Sequence, residues 1–596
     1  MLSYNNLKKI NLFNKENKVP SWRVSPYGVS LSVYSEFCCI TRGSSVERIK
    51  IQKLIQAVEQ NKIHIQNISI LRNWINSRDG QDSPVDSVSV YTGNTLKTLV
   101  NNDLNDITAE RDFVSSIYKY VTSNRNEVMG VHGLRGVGKS IGLMQVIRLL
   151  NDFDNTVYLV VNPEQSLDYS DFYKLLFSVA KYRKYIFIDE ITYVSNFINK
   201  SANLYEALVL MGKRVVICGT NSLALVSSKS AALYHRIGIL PVSFMSYFEA
   251  KRTAHISNFI EYLEMGGLYD KDRLGSFSDL ENYIDTSVVD NIVGTLSKNM
   301  VTSHLAALYN LSITSKNIGL VKQRMKTIIF KILFDIIFSL SKSDIKIDMN
   351  ILPYLFNSYS SSSDIYDTIG IENSSIGVYE TRVVLKALYE IGLLNKVENI
   401  AKCGEFKYYI TNQSVYNQML CQIVNIPFRD GYSLNEFRGV KSRLGLLMES
   451  AVINHTYEIV RKMKDISIYY YRDGNKEIDL IIRRHVYDLD DLDNYDKYLY
   501  YEIKISSDTA YASIKAQWIT DKSIGSPEKV VGRAVIYNGI TTVYDGVTKP
   551  KKPIPNISTE KQTQIMQRNK GLQFINVEDY LRNLPSYIDD LMNTKF

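Results

Sequence analysis

Residues 133–140 read Gly-Leu-Arg-Gly-Val-Gly-Lys-Ser and match the pattern G-x-x-x-x-G-K-[ST] at every fixed position. An apolar run typical of a strand (128–131) precedes them, and an apolar run typical of a helix (141–150) follows. Glycines let such a loop turn its backbone amides toward phosphate oxygens, and the helix that begins there adds its N-terminal dipole. A Gly-rich turn with a chance Lys-Ser is the alternative, which these flanks disfavour. The stretch predicts a nucleotide site.

The residues of this loop have distinct expected roles. Its backbone would surround the phosphates, with the cofactor-binding positions Gly133, Arg135, Gly136 and Gly138. Lys139 would reach the β- and γ-phosphates, and the hydroxyl of Ser140 would hold Mg²⁺. We therefore expect ATP and Mg²⁺ as cofactors.

A pair of acids follows the loop about fifty residues later. Residues 185–188 are a continuous apolar run, as expected for a parallel strand buried on both faces, and Asp189-Glu190 come directly after it. Asp189 would orient a Mg²⁺-bound water, and Glu190 would polarise the attacking water as the catalytic base. Two solvated acids at a strand end are the weaker reading.

Two further features belong to the same region. A third buried strand (214–219) leads into Thr220-Asn221-Ser222, where Asn221 could contact the nucleotide or serve as a helix N-cap. Arg236 is either a catalytic arginine that reaches the nucleotide of a neighbouring subunit or an ordinary surface arginine. The first alternative would make the protein a homo-oligomer.

Taken in order, the segments 133–140, 187–190, 218–222 and 236–249 resemble the AAA-type archaeal and bacterial ATPases that carry a C-terminal restriction-endonuclease-like domain. The resemblance spans residues 105–520. It implies a multidomain α/β fold: a P-loop AAA-type parallel sheet with helices on both faces, a winged-helix-like middle region, and a C-terminal PD-(D/E)XK α/β domain.

The middle region is compatible with two structures. Residues 381–394 have the apolar spacing of a helix, and the strand-like run 406–410 follows. A helix followed by a β-wing is the order of a winged helix, which would bind DNA. A helical bundle with one hairpin and no nucleic-acid contact fits equally well.

A second set of charged residues lies in a helix starting near residue 445 and in strand-like runs at 476–482 and 498–504. Under the resemblance, Glu449, Asp479 and Glu502 would bind Mg²⁺, and Lys504 would orient the nucleophilic water. Glu502 and Lys504 are two residues apart and so share one face of a strand. Exposed charges on a plain hairpin are the alternative. The Asp-rich insert 488–496 departs from the family pattern, would repel DNA, and is expected to be a surface loop.

Composition agrees with a cytoplasmic multidomain protein. Of 596 residues, 45% are hydrophobic, which is enough for several cores, and the five cysteines lack the spacing of disulfide or zinc frameworks. We find no signal peptide and no membrane-spanning run, so no membrane partner is expected. A net charge of +8 permits DNA binding.

These observations give six expected segments and two alternative functions. The segments are an N-terminal domain (1–105), the ATPase core (106–250), a helical lid (251–360), the winged-helix-like region (361–425), the nuclease-like domain (426–545), and a basic linker with a helical tail (546–596). The protein would be an ATP-dependent, Mg²⁺-dependent DNA nuclease, or an ATP-switched scaffold that binds nucleic acid or protein through a non-cleaving nuclease-like fold.

Overall fold

The structure is a computed structural model, in which the chain divides into two compact units. One comprises residues up to Ser243 together with Asp285–Lys322, and the other comprises Phe244–Ile284 together with residues from Gln323 onward. The described residues are 87–107, 109–162, 167–229, 233–253, 256–269, 274–298, 318–341, 378–425, 443–473, 476–487, 494–505, 530–543 and 572–593. Most of the predicted N-terminal domain and the basic linker lie outside them.

Strands and helices alternate through the first unit. In chain order they are β1 (Val88–Thr92), α1 (Gly93–Asp103), α2 (Val114–Thr122), β2 (Val128–His132), α3 (Lys139–Leu150), β3 (Thr156–Val161), β4 (Leu167–Asp168), α4 (Tyr169–Ala180), β5 (Tyr185–Asp189), β6 (Val194–Ser195), α5 (Phe197–Lys200), α6 (Ala202–Leu204), β7 (Arg214–Gly219), α7 (Ser222–Lys229) and β8 (Ile237–Pro241).

The main sheet of this unit has the strand order β1-β3-β5-β7-β2-β8. All its pairings are parallel except that of β1 with β3 at the edge. Every residue of β2, β5 and β7 is buried, which explains why these strands are apolar except at their ends. Because these three strands are parallel, their carboxyl ends meet at one edge, where ligands bind in open α/β sheets.

The second unit begins with short helices and also contains a large sheet. Continuing in chain order, the elements from residue 244 are α8 (Tyr247–Thr253), α9 (Phe259–Met265), α10 (Phe277–Tyr283), α11 (Asp290–Lys298, in the first unit), α12 (Ile318–Ser341), α13 (Val378–Glu390), β9 (Leu394–Asn399), β10 (Phe406–Ile410), α14 (Gln413–Asn425), α15 (Arg443–Val460), β11 (Ile466–Asp473), β12 (Lys476–Tyr487), β13 (Asn494–Lys504), β14 (Val530–Tyr537), β15 (Thr542–Val543), β16 (Gln573–Asn576) and α16 (Val577–Asn593).

This second sheet is mixed and has the order β10-β9-β11-β12-β13-β14-β16-β15. The central strands β11, β12 and β13 are antiparallel, whereas β14 is parallel to β13 and β16 is parallel to β14. A cluster of Tyr471, Ile478, Ile481 and Tyr500 packs on one part of this sheet. The helices in the described part of the chain lack the length and apolarity needed to span a bilayer.

The structure shifts several predicted boundaries. Residues 88–103 form β1, which pairs with β3 of the main sheet, and α1 of the same unit, so they do not belong to a separate N-terminal domain. The predicted wing, β9–β10, joins the same sheet as the nuclease-like strands through a parallel pairing of β9 with β11, so no sheet boundary exists near residue 425. Residues 573–593 supply β16 and α16 to this unit. Sequence reasoning missed these pairings because they join segments that are distant along the chain.

Candidate functional site

The glycine-rich loop lies between β2 and α3 and has the backbone that its sequence predicts. Gly136 and Gly138 have positive φ angles of 83° and 77°. A Cβ atom at Gly133 would lie 2.3 Å from the carbonyl oxygen of Val242, so glycine is needed there as well. The loop therefore places the amino-terminal end of α3, with its backbone amides, at the carboxyl edge of the sheet.

The predicted phosphate-binding lysine is folded onto this loop. The Lys139 ammonium donates hydrogen bonds to the carbonyl oxygens of Gly133 at 2.8 Å and Leu134 at 2.9 Å. Its side chain is buried, while Ser140 is partly exposed and Arg135 is exposed. A nucleotide phosphate would offer Lys139 a stronger, charged acceptor than the two carbonyls do.

Asp189 ends β5 and is fixed by two hydrogen bonds. Its Oδ2 accepts from the Tyr158 hydroxyl at 2.9 Å, and its Oδ1 accepts from the Glu190 amide at 2.9 Å. Burial and the neighbouring Asp189 charge raise the pKa of Tyr158, which therefore remains a hydrogen-bond donor. β5 and β2 are separated in the sheet only by β7, so Asp189 lies at the same sheet edge as Ser140.

Glu190 has an unusual backbone and a well-defined partner. Its φ angle of 56° is positive, which is rare for residues other than glycine and is typical of strained functional sites. Its carboxylate accepts hydrogen bonds from the Thr220 amide at 2.9 Å and from the Thr220 hydroxyl. Burial and the charge of Asp189 raise the pKa of Glu190, and the Lys139 ammonium opposes this shift. A raised pKa suits a general base.

Among the three small polar residues after β7, Thr220 contacts Glu190. Asn221 is also buried, and its Nδ2 lies 3.3 Å from the position that a Cβ atom of Gly294 would occupy on α11. Its backbone carbonyl oxygen accepts a hydrogen bond from the backbone amide of Ala224 at the start of α7. No side-chain contact of Asn221 with the loop is seen among the described residues, so its role in nucleotide binding stays a prediction. The sequence prediction singled out Asn221 in this segment and missed the contact of Thr220 with Glu190.

Arg236 lies just before β8 and is engaged within its own chain. Its guanidinium is 2.9 Å from Glu206 Oε1 and 5.5 Å from the ring centroid of Tyr205. Both charged side chains are exposed, so this ion pair is weak, and Arg236 can leave Glu206 for another acidic group at little cost. Its action on a neighbouring subunit remains a prediction.

In the second unit, Asp479, Glu502 and Lys504 come together as the sequence predicts. Leu480 of β12 pairs with Tyr501 of β13, which brings Asp479 next to Glu502. Lys504 Nζ lies 2.8 Å from Asp479 Oδ2 and 2.7 Å from Glu502 Oε2. Asp479 Oδ2 also accepts from the backbone amide of Ile503 at 2.8 Å. Both carboxyl groups are buried.

The environments of these two acids differ. Burial disfavours the charge of Asp479, but the ammonium groups of Lys504 and Lys407 hold its pKa below the usual value. Burial and the charge of Asp479 raise the pKa of Glu502 well above its usual value, although Lys504 opposes the shift. The pair therefore favours one ionised and one neutral carboxyl group.

Glu449 is held by a residue that sequence reasoning missed. Its Oε1 is 2.8 Å from Lys407 Nζ and accepts from the Tyr409 hydroxyl at 3.1 Å. Lys407 also lies 3.3 Å from Glu477 Oε1. Burial raises the pKa of Glu449, and Lys407 lowers it. The only sequence signal was that Lys407 and Tyr409, two residues apart, lie on the same face of a strand, which is common in hairpins.

The predicted metal ligands Glu449, Asp479 and Glu502 are paired with lysine side chains in this structure, and their binding of Mg²⁺ stays a prediction. Among the residues that the structure describes, no three or more His, Cys, Asp or Glu are grouped to hold a metal ion. Asp479 and Glu502 share the ammonium of Lys504, and Glu449 binds that of Lys407. The fit is better at the glycine-rich loop, where only Ser140 and Asp189 are needed beside nucleotide phosphates and water.

The Asp-rich insert is shorter than predicted. Residues 488–493 are outside the described part of the chain, but β13 already begins at Asn494. Asp496 is thus a strand residue, and its carboxylate lies 2.8 Å from His485 Nδ1 on the paired strand β12. Pairing with His485 keeps the pKa of Asp496 below its usual value, although burial acts in the opposite direction.

Comparisons with known proteins match one region of the chain to a protein family. Residues 125–251 match a family model described as an AAA domain, and no curated protein matches the chain. Solved structures similar to the chain include the Aeropyrum pernix Orc1 protein in complex with DNA (10% identity, TM-score 0.21, 51% of this chain and 90% of that chain covered), the Saccharomyces cerevisiae Hsp104–ADP complex (13%, 0.25, 62% and 60%), and Cdc6p from Pyrobaculum aerophilum (11%, 0.19, 56% and 93%). The chain is thus similar to AAA domains over residues 125–251, the region that carries the glycine-rich loop and most of the parallel sheet.

Proposed function

We propose that this protein hydrolyses ATP with Mg²⁺ at the carboxyl edge of the parallel sheet. The observation that carries the proposal is the placement of Glu190 beside Asp189, with its carboxylate held by Thr220 and its charge stabilised by Lys139. Lys139 and the loop amides would bind the phosphates. Ser140 and Asp189 would hold Mg²⁺, which neutralises phosphate charge when bound.

Glu190 would act as the base in this reaction. Its carboxylate would accept a proton from the attacking water, and Thr220 would keep the carboxylate in position. The positive φ angle of Glu190 turns its side chain away from the path of β5 and toward the end of β7. Asn221 and Arg236 are proposed as further contacts of the nucleotide, the latter from a neighbouring subunit.

Two variants test the assignment of roles. Lys139→Ala should lose ATP binding and hydrolysis, because the ammonium that faces the phosphates is removed. Glu190→Gln should bind ATP normally and lose turnover, because the amide cannot accept the proton. Binding is measured by calorimetry and turnover by phosphate release. Wild-type turnover in Glu190→Gln would contradict the assignment of the base.

A second proposed function is DNA binding by the second unit. Three observations support it: the strand pattern of β11 to β14, the preceding helix α15, and the contact of Lys504 with Asp479 and Glu502 all agree with a nuclease-like fold. The three acids are paired with lysine side chains, and on this ground we propose binding without cleavage, controlled by ATP.

Gel shift and cleavage assays with plasmid DNA test this second proposal. The wild type should retain DNA and leave it intact with Mg²⁺ or Mn²⁺, with or without ATP. Asp479→Asn should bind DNA at least as well, because one negative charge is removed. Cleavage by the wild type that is absent in Asp479→Asn would establish the nuclease alternative, and absence of DNA binding would leave protein as the partner.

A further inference from the structure

The ammonium of Lys407 lies among the acidic groups of the second unit. It faces Glu449 at 2.8 Å and Glu477 at 3.3 Å, and the rings of Tyr409 and Tyr470 have centroids 5.6 Å and 5.8 Å away. Its side chain is only 12% exposed. A buried ammonium is stable only when it is paired, and the two carboxylates with the flanking rings provide that environment.

The fold fixes the distance between Lys407 and Glu449. The carbonyl oxygen of Ile410, at the end of β10, accepts from Ser450 Oγ at 3.0 Å and from Asn454 Nδ2 at 2.9 Å, both on α15. Asn395 of β9 donates to Asn454 Oδ1 at 2.9 Å. These bonds attach the hairpin to the helix that carries Glu449.

The other end of the hairpin is attached to the neighbouring strand. Asn399 of β9 donates to the carbonyl oxygen of Arg472 on β11 at 3.0 Å, and the Tyr470 hydroxyl donates to Glu405 at 3.1 Å. Since both ends of the hairpin are bonded, Lys407 is a fixed part of the sheet and not a side chain on a free wing.

Glu449, Glu477, Asp479 and Glu502 are together called the acidic centre. We propose that the Lys407 ammonium is the permanent cation of this acidic centre and that it keeps divalent metal ions out. It contacts Glu449 Oε1, and the Tyr409 hydroxyl donates to the same atom, so two donors occupy that oxygen. A metal ion bound by Glu449 would approach within reach of the ammonium, and the two cations would repel each other. Lys407 thus supplies, beside Glu449, the positive charge that a metal ion bound by this acid would supply.

Lys504 cannot play the same part. It lies on β13 between Asp479 and Glu502, at the position where the resemblance to metal-dependent nucleases implies a lysine that acts beside the metal. Its presence is therefore compatible with a metal ion. Lys407 comes from a different strand, and it neutralises the helix-borne acid that would complete the ligand set.

Mn²⁺ binding to the full-length, nucleotide-free protein tests the proposal, with electron paramagnetic resonance measuring free Mn²⁺. Lys407→Met keeps the length of the side chain and removes its charge. The double variant Lys407→Met with Glu449→Gln shows whether any gained ion uses the centre. Lys396→Met is the matched control, because Lys396 is on the same hairpin but faces the rings of Tyr389 and Phe406 at 5.2 Å and 4.7 Å.

The wild type and Lys396→Met should bind Mn²⁺ no better than the double variant. Lys407→Met should bind it about tenfold more tightly or better, and the double variant should lose this gain. Wild-type binding as tight as that of Lys407→Met, and weakened by Glu449→Gln, would overturn the proposal. So would a folded Lys407→Met without the gain. Lys407→Gln replaces Lys407→Met if circular dichroism shows that the latter is unfolded; if neither variant folds, the wild-type measurement decides. None of these outcomes depends on ATP hydrolysis.

Discussion

Replacement of Thr220 by valine tests how Glu190 is held and charged. Thr220 donates two hydrogen bonds to the Glu190 carboxylate, one from its amide at 2.9 Å and one from its hydroxyl. Valine has nearly the same shape but no hydroxyl, so Thr220→Val removes one bond and keeps the other. Hydrogen bonds to a carboxylate favour its ionised form, so the loss should raise the pKa of Glu190 further. Burial and Asp189 already raise this pKa.

The sign and size of the effect on turnover follow from this contact. A general base must be ionised, so kcat should fall as the pH drops through the raised pKa, and Thr220→Val should shift this acid limb to higher pH. A hydrogen bond to a charged group contributes about 1.5–3 kcal/mol. Because the hydrogen bond from the Thr220 backbone amide remains, we take the lower end of this range. A loss of about 1.5 kcal/mol corresponds to about tenfold lower kcat on the acid limb. At alkaline pH the two kcat values should converge.

The assay is steady-state ATP hydrolysis from acid to alkaline pH, with circular dichroism as the check of folding. Thr156→Val is the matched control, since Thr156 is a buried threonine of β3 whose hydroxyl binds the Asp152 carbonyl oxygen and not Glu190. Its acid limb should equal that of the wild type. A folded Thr220→Val with an unchanged acid limb, or with a limb at lower pH, would refute the role of Glu190 as the base.

Three further predictions address the remaining parts of the two sites. Arg236→Ala should lower kcat about 10³-fold if it acts on a neighbouring subunit, whereas Glu206→Gln should retain activity; a fully active monomer at high concentration, sized by light scattering, would exclude this role. Glu502→Gln should raise the thermal unfolding temperature at alkaline pH. The pKa of Glu502 is higher in the folded than in the unfolded protein, so ionisation of Glu502 lowers the stability of the fold. This loss is absent at a pH below the unfolded-state pKa and complete above the folded-state pKa. An equal rise of the unfolding temperature at acid pH would contradict the reasoning. Gly133→Ala should weaken ATP binding in calorimetry, because its Cβ would lie 2.3 Å from the Val242 carbonyl oxygen; unchanged affinity would show that the loop can adjust.

The placement of the candidate nucleotide site was predictable because its parts are local. Its residues lie at or just after the ends of the buried strands β2, β5 and β7, which are parallel, so these residues must meet at one edge. Positive φ angles at Gly136 and Gly138 are likewise written into the residue types. The sequence prediction named Asn221, but nothing in the sequence distinguishes the three small polar residues 220–222 as partners of Glu190. The choice depends on the backbone at Glu190, whose φ angle is positive without a glycine to signal it.

The acidic centre was predictable only in part. Asp479, Glu502 and Lys504 lie on adjacent strands, and their pairing follows from the alternation of side chains along β12 and β13. The role of Lys407 was missed because its partner Glu449 is on a helix more than one element away. The two residues meet only because β9 pairs with β11, and because α15 is hydrogen-bonded to the end of β10.

By itself, the sequence determined the nucleotide loop, the acids beside it, the buried strands and the order of the charged strands in the second half. These features follow from residue types and spacing within single elements, where sterics and burial act locally. Only the tertiary structure decided that β1 belongs to the first sheet, that the hairpin β9–β10 extends the second sheet, and that Lys407 binds Glu449. The physical reason is that strand pairing and buried ion pairs join residues far apart in the chain, and their energies depend on packing that no local pattern records.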